Sequence, residues 1–244
     1  MTGRPPSEGF EVADVEDRLR RSVESIGTGE RRMKRSQVLG PQAEQTRRNL
    51  AESARRLFQE KGYTGTTVAE IAQNANVSLA TFYQYFKEIH DVTALIVVDF
   101  IKASLASQLD RWDSLGGVPA LRDFIDRFLG LYVRNAELLE LWETGKLVSP
   151  RLRLLYVDYY RVYRARLEEC VRLGVDAGTV RDDLDPADLA DLMATLVERY
   201  SYEHFVLLGE REVGNGVEIL TIAVTSLVGL TEPVVDNTNG GPST

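Results

Sequence analysis

The sequence predicts an all-α protein, on three observations. Apolar residues recur at spacings of three and four through most of the 244 positions, the period of helices with one buried face. Helix start and stop signals punctuate these stretches: Ser, Thr or Asp before a proline or a short apolar run, and glycine after it. Leu, Ala, Glu and Arg recur throughout, whereas Val and Ile seldom alternate with polar residues as a half-buried strand requires. With 43% hydrophobic residues, the chain has material for one large core or two modest ones.

Residues 1–40 read as an N-terminal extension, partly disordered. Pro5, Pro6, Ser7 and Gly9 open it, Val12, Val15, Leu19, Val23 and Ile26 mark a short amphipathic helix, and Gly27 and Gly29 end that helix. The basic run Arg31, Arg32, Lys34 and Arg35 then leads to a boundary at Gly40-Pro41. From Gln42 to Lys61, Leu50, Ala54, Leu57 and Phe58 share one helical face, and Gly62 stands where a left-handed cap is expected. Thr67-Val68-Ala69-Glu70 has the spacing of a capping box, starting a helix that should end near Ala75. Asn76-Val77 makes a tight turn, and Ser78 caps a further short helix through Tyr85. Two short helices joined in this way form a helix-turn-helix pattern, with Ile71, the small Ala72, Val77 and Phe82 at its core. A longer helix should run from Ile89 to Leu109.

Further along, Gly116-Gly117 breaks the chain before Pro119, which fits the first turn of a helix carrying Leu121, Phe124, Ile125, Phe128, Leu129 and Tyr132. A shorter helix is expected over Ala136 to Thr144. Ser149-Pro150 and Asp185-Pro186 start two more, extending to Asp176 and Leu208. The stretch from Gly216 to Thr231 is apolar on nearly every side, so it should be buried both in its own subunit and against a partner. Residues 233–244, rich in Asn, Gly, Pro and Thr, read as a disordered tail. The domains expected are therefore 1–40, 41–88, 89–232 and the tail.

Charge is unevenly placed. The net charge is −8, but residues 1–30 carry 4 basic and 7 acidic side chains, residues 31–90 carry 10 and 5, and residues 91–244 carry 15 and 25. A basic block ahead of an acidic body lets one end approach phosphate while the rest repels it. Cys170 is the single cysteine, which excludes an intramolecular disulfide and a Cys-rich metal site and makes the cytoplasm the default compartment. No secretion signal is apparent, and the apolar run Val92 to Ile101 is short and carries Asp99, so no membrane partner is expected. Phosphate-binding loop, paired-histidine metal helix and nucleophile elbow are all missing from the sequence, and His90 and His204 stand alone. Gly214-Asn215-Gly216 reads as a turn and Asp182-Asp183 as a solvated loop. Neither catalytic residues nor a metal or cofactor is expected.

The segment Thr67-Val-Ala-Glu-Ile-Ala-Gln-Asn-Ala-Asn-Val-Ser-Leu-Ala-Thr-Phe-Tyr-Gln-Tyr-Phe-Lys87 closely resembles the DNA-binding core of the TetR family of regulators. The resemblance extends back over Thr46 to Tyr63 and covers roughly residues 44–98. Gly178 to Pro186 is similar to the family's entry into its dimer-forming helices. Two departures stand out: Lys87-Glu88-Ile89-His90-Asp91 replaces the Ser-Lys-Glu type segment that members often carry, and the extension before Gln42 is long. The resemblance implies a helix-turn-helix domain followed by a helical effector-binding and dimerisation domain. It further implies a ligand-responsive regulator, a repressor, that binds a near-palindromic double-stranded DNA operator as a homodimer and is released by a small effector.

Within that reading, Leu79, Ala80 and Thr81 let the second short helix enter the major groove, Thr81 or Leu79 meets a thymine methyl, and Gln84 pairs with an adenine edge. Tyr83, Tyr85 and Lys87 resemble the family's phosphate-contacting positions, with Thr67 and Ser78 adding hydroxyls at helix starts. Arg31, Arg32, Lys34 and Arg35 would form a DNA-following arm. Tyr156, Tyr159, Tyr160 and Tyr163, with Phe100, Phe124, Phe128, Tyr132 and Trp142, resemble the family's apolar effector pockets and point to a hydrophobic effector. Leu189, Met193, Leu196, Val197 and Tyr200, facing Leu220, Val224, Leu227 and Val228, are expected to form a four-helix dimer seam. The alternatives are a helical ligand-binding or scaffold dimer without operator binding, and an enzyme.

Overall fold

The computed structural model describes residues 17, 21, 40–107 and 112–231, without the side chains of 105–107. Asp17 and Arg21 are helical and paired at 2.7 Å. The basic run from Arg31 to Arg35, the rest of the extension and the tail lie outside the described residues. Among the described residues, nine α-helices follow in order: α1 (Pro41–Lys61), α2 (Val68–Asn74), α3 (Leu79–Tyr85), α4 (Ile89–Ser107), α5 (Gly117–Arg134), α6 (Ala136–Val148), α7 (Pro150–Asp176), α8 (Pro186–Ser201) and α9 (Gly214–Val228). A π-helical segment, Tyr202–Leu207, continues α8. There are no strands among the described residues.

Local chemistry sets four of the helix starts. Thr67 accepts from the Glu70 amide while Glu70 returns a carboxylate to the Thr67 amide at 2.9 Å, closing the capping box of α2. Ser78, Ser149 and Asp185 cap α3, α7 and α8 by accepting from Thr81, Leu152 and Ala187 amides. At Gly62 the cap has φ 74° and ψ 168°, so the chain leaves α1 extended, with a positive φ that suits glycine, and not through the left-handed turn expected. The left-handed cap instead ends α9 at Gly229, two residues before the stop read from sequence at Thr231.

Two further boundaries differ from the sequence reading. α6 continues past Thr144 to Val148, running through Gly145, whose lack of a side chain leaves room for Leu152, and stops before Ser149-Pro150. The helix begun at Asp185 changes hydrogen-bond pattern after Ser201, with the Leu208 amide donating to the Glu203 carbonyl at 2.9 Å. α4 is described only to Ser107.

The helices close two adjoining cores. In the N-terminal one, α1 and α2 pack with α3 around Leu50, Ala54, Leu57, Ile71, Ala72 and Phe82, and the Ser53 hydroxyl donates to the Ile71 carbonyl at 2.8 Å. Residues past 88 complete this core: Val92, Leu95 and Ile96 of α4 and Leu141 of α6. In the larger core, α5, α7, α8 and α9 surround Phe124, Leu129, Leu152, Leu167, Met193 and Val224. Val97, Val98 and Ile101 on the other half of α4 enter this second core, which explains why α4 is apolar around most of its girth.

Candidate functional site

The surface of α3 separates inward from outward residues by helical phase. Phe82 is fully buried, while Leu79, Ala80, Tyr83 and Gln84 are exposed on the opposite side, and Lys87 follows them in the open. Thr81 and Tyr85 are half-buried. Ser78 Oγ lies 2.8 Å from Thr81 Oγ1, and its oxygen also accepts the Thr81 amide at 3.0 Å. The Thr67 hydroxyl is likewise engaged, donating to Glu70 Oε2 at 2.9 Å. Both hydroxyls thus serve first as caps. Glu70 holds its charge firmly: the Lys61 ammonium, then the Thr67 amide and hydroxyl, pull its carboxyl down to about 2.

Eight of the nine residues expected in an effector pocket come together. Phe100, Phe128, Tyr132, Trp142, Tyr156, Tyr159, Tyr160 and Tyr163 line one cavity of about 50 Å³, room for a few waters. Phe124 does not reach it. That ring lies one turn away on α5, fully buried and 6.1 Å from Phe128, so it belongs to the packing beneath the cavity. Three functional candidates escaped the sequence reading: Glu143, Glu198 and Tyr202 also line the wall, with Leu131 and Leu139. The two acids read as solvated charges in sequence, and only their spacing by helical turns from Leu139 and Tyr202 hints at a shared face.

The cavity's rings meet at several angles. Trp142 stands edge-on to Tyr156 at 5.6 Å and tilted to Tyr159 at 5.4 Å, while Phe128 stacks on Tyr163 at 5.4 Å. Tyr156 Oη donates to Glu198 Oε1 at 2.8 Å. Burial, followed by the Glu198 charge, drives the Tyr156 phenol far above its ordinary range, and the Tyr132 phenol is raised by the same two causes. Lys146 Nζ sits 3.4 Å above the centre of the Tyr156 ring and pairs with Glu143 at 2.5 Å.

The comparisons with known proteins meet this geometry at its N-terminal end. Residues 50–91 match the family model described as bacterial regulatory proteins, tetR family. Over that segment the chain is similar to the TetR family. It is 28% identical over 181 residues to the HTH-type transcriptional repressor NicS of Pseudomonas putida, across 70% of this chain and 82% of that one. The HTH-type transcriptional repressor DhaR of Mycobacterium sp. is 24% identical over 159 residues, across 60% and 76%. A TetR transcription regulator from Haloarcula marismortui shares the fold, with a TM-score of 0.61 at 16% identity over 76% of this chain and 97% of that one.

The expected dimer seam needs correction. Leu189, Met193, Val197, Leu220, Val224 and Val228 are each 1% exposed or less within a single subunit, because they point into the subunit's own core. They have no surface to offer a partner. Tyr200 and Leu227 are half-buried, and Leu196 is exposed. The uncovered apolar side chains of the same two helices are Leu192 and Leu196 on α8 and Ile219 and Ile222 on α9, between 37% and 60% exposed.

Two connections join the cavity to α3. Arg151, at the start of α7, donates to Asp91 Oδ1 at 2.8 Å, and Asp91 Oδ2 accepts the Lys87 amide at 2.9 Å, just past α3. On α6, Leu141 is buried in the N-terminal core while its neighbour Trp142 walls the cavity. His90 is tied to the Tyr63 hydroxyl and His204 stacks on Tyr200 at 4.1 Å, which gives both histidines structural settings. No group of three or more His, Cys, Asp or Glu side chains among the described residues could hold a metal ion, and no described helix is long and apolar enough to cross a membrane.

Proposed function

We propose that this regulator is a homodimeric repressor that places α3 in the major groove of a near-palindromic operator and leaves it when a small effector enters the aromatic cavity. The observation that carries the DNA half is the phase of α3: a fully buried Phe82 fixes the helix while Leu79, Ala80, Tyr83 and Gln84 are free on its outer face. Gln84 can bond an adenine edge, the short side chains permit close approach, and Tyr83 and Lys87 can reach phosphates. Thr67 and Ser78 hold the two helix starts, and their oxygens reach phosphate as secondary contacts.

Dimerisation follows from the uncovered face of α8 and α9. Pairing Leu192, Leu196, Ile219 and Ile222 with the same residues of a second copy would bury them in an isologous four-helix contact. Two-fold symmetry then sets two recognition helices on one side of the duplex, roughly 34 to 36 Å apart or a multiple of that.

Release follows from the two connections. An effector that spreads the cavity rings displaces α6 and α7, and those helices hold the joint after α3 through Leu141 and the Arg151–Asp91 pair. Since the effector favours the DNA-incompetent arrangement, operator must weaken effector binding by the same factor. The deciding experiment is binding of the purified protein to fragments of its own upstream DNA at two salt concentrations with nonspecific competitor. Saturable, salt-sensitive binding to a discrete near-palindrome is expected. Binding that is equally tight to every fragment would overturn the operator-specific reading.

A further inference from the structure

We infer that the cavity is built for a small organic cation, an ammonium with apolar substituents, held against the faces of Trp142, Tyr156 and Tyr159 and neutralised by Glu198. This rests on the reading of the cavity as the effector site and names the chemistry of the effector. Three observations point the same way. The wall combines nine aromatic rings with two carboxylates and, among the lining residues, no basic group. Ring faces carry negative potential and attract cations, the more so where water is excluded. An anionic effector would meet those faces and both carboxylates at once.

Glu198 is the second observation. Its side chain is half-buried in a ring-lined wall, and Tyr156 Oη at 2.8 Å is its hydrogen-bond donor. Among the described residues it has no ion pair. Burial raises its carboxyl above the ordinary range, against the Tyr156 hydrogen bond and the Lys146 charge. A neutral apolar effector would shield that carboxylate further and give it nothing in return, whereas a cation supplies the missing counterion.

The third is Lys146. Its ammonium lies 3.4 Å above the Tyr156 ring, so the protein already places a cation of its own on one of these faces. Lys146 is held at the rim by Glu143 at 2.5 Å. Glu198 is left for an incoming charge. The lysine is therefore an internal competitor that an effector must displace or sit beside.

The test compares phenyltrimethylammonium with tert-butylbenzene, its uncharged isostere, by calorimetric titration of the full-length protein. The cation is expected to bind about tenfold tighter or better. Glu198→Gln should collapse the cation-over-isostere ratio. Lys146→Met should increase it, because the competing ammonium is gone and Glu143 is unpaired. These opposite responses keep the test decisive: should Glu198→Gln fail to fold, an unchanged or reduced ratio in Lys146→Met overturns the inference. Equal or tighter binding of the isostere to the unaltered protein also overturns it, while leaving an apolar effector site in place. If neither probe binds, the inference fails and the effector-site reading of this cavity fails with it.

Discussion

Replacing Arg151 by Met removes the charged link between the cavity helix α7 and the joint beyond α3 while keeping an apolar stem of similar length. The Arg151 side chain is 40% exposed and Asp91 18% exposed, so solvent screens the pair from one side only. Exposed ion pairs contribute ~0.2–1 kcal/mol and hydrogen bonds to charged groups ~1.5–3 kcal/mol. Given the exposure of the arginine, about 1 kcal/mol is the expected loss, and Asp91 retains the Lys87 amide at 2.9 Å. In a chain of this size that lowers Tm by roughly 2–4 °C. The functional effect is larger in kind. If the pair transmits the effector signal, removing it lowers the coupling between effector and operator by up to ~5-fold, the equivalent of that energy. The assay is fluorescence anisotropy of a labelled operator fragment with Arg151→Met and the parent protein. Each is measured with and without a compound selected for releasing operator. Asp91→Asn should add little on top of Arg151→Met, since both remove one contact. A coupling factor unchanged in Arg151→Met, alongside the expected fall in Tm, would show that the pair is structural and carries no signal.

Gln84→Ala should relax operator preference at one base position and cost about 1–3 kcal/mol there, whereas Lys87→Ala should weaken all sequences alike and reduce the salt slope by about one; a panel of operator variants titrated at several salt concentrations distinguishes the two. Introducing Glu at both Leu192 and Ile222 should leave the subunit folded, because both side chains are exposed in it, and reduce the mass seen by light scattering to one chain with loss of tight operator binding. A variant that stays dimeric would place the interface elsewhere. Glu70, with its carboxyl depressed to about 2 from 4.5, binds fewer protons folded than unfolded, so its contribution is complete above 4.5 and is lost as pH falls towards 2. Glu70→Gln should flatten the acid limb of stability measured by circular dichroism in that window; an unchanged limb would refute the assignment.

What the sequence disclosed was mostly local. Thr67, Ser78, Ser149 and Asp185 announce helix starts because a cap is a bond between neighbours two or three residues apart, and the buried phase of α3 follows from Phe82 in the same way. The proposed dimer face was hidden because α9 is apolar on both sides. A period of 3.6 finds the Leu220–Val224–Val228 stripe, yet Ile219 and Ile222 flank it, and only the position of α5 and α8 decides which stripe the subunit covers itself. The cavity's acids were hidden for a related reason. A glutamate on a helix is ordinarily solvated, and nothing near Glu198 in the chain reveals that Tyr156, 42 residues away, will close over it. Phe124 shows the converse error: it shares the helical face of Phe128, but a cavity has ends along the helix axis, and periodicity does not locate them.

The shared ownership of α6 bears on how this regulator can be re-engineered. Because Leu141 completes the core beneath α3 and Trp142 walls the cavity, the N-terminal end is not a detachable cassette. A chimera joined at residue 88, with the first three helices exchanged for another regulator's, would set foreign side chains against Val92, Leu95, Ile96 and Leu141. Transplanting a new operator specificity onto this sensor therefore calls for carrying the matching faces of α4 and α6 with it. Altering only the outward residues of α3 would leave that joint intact.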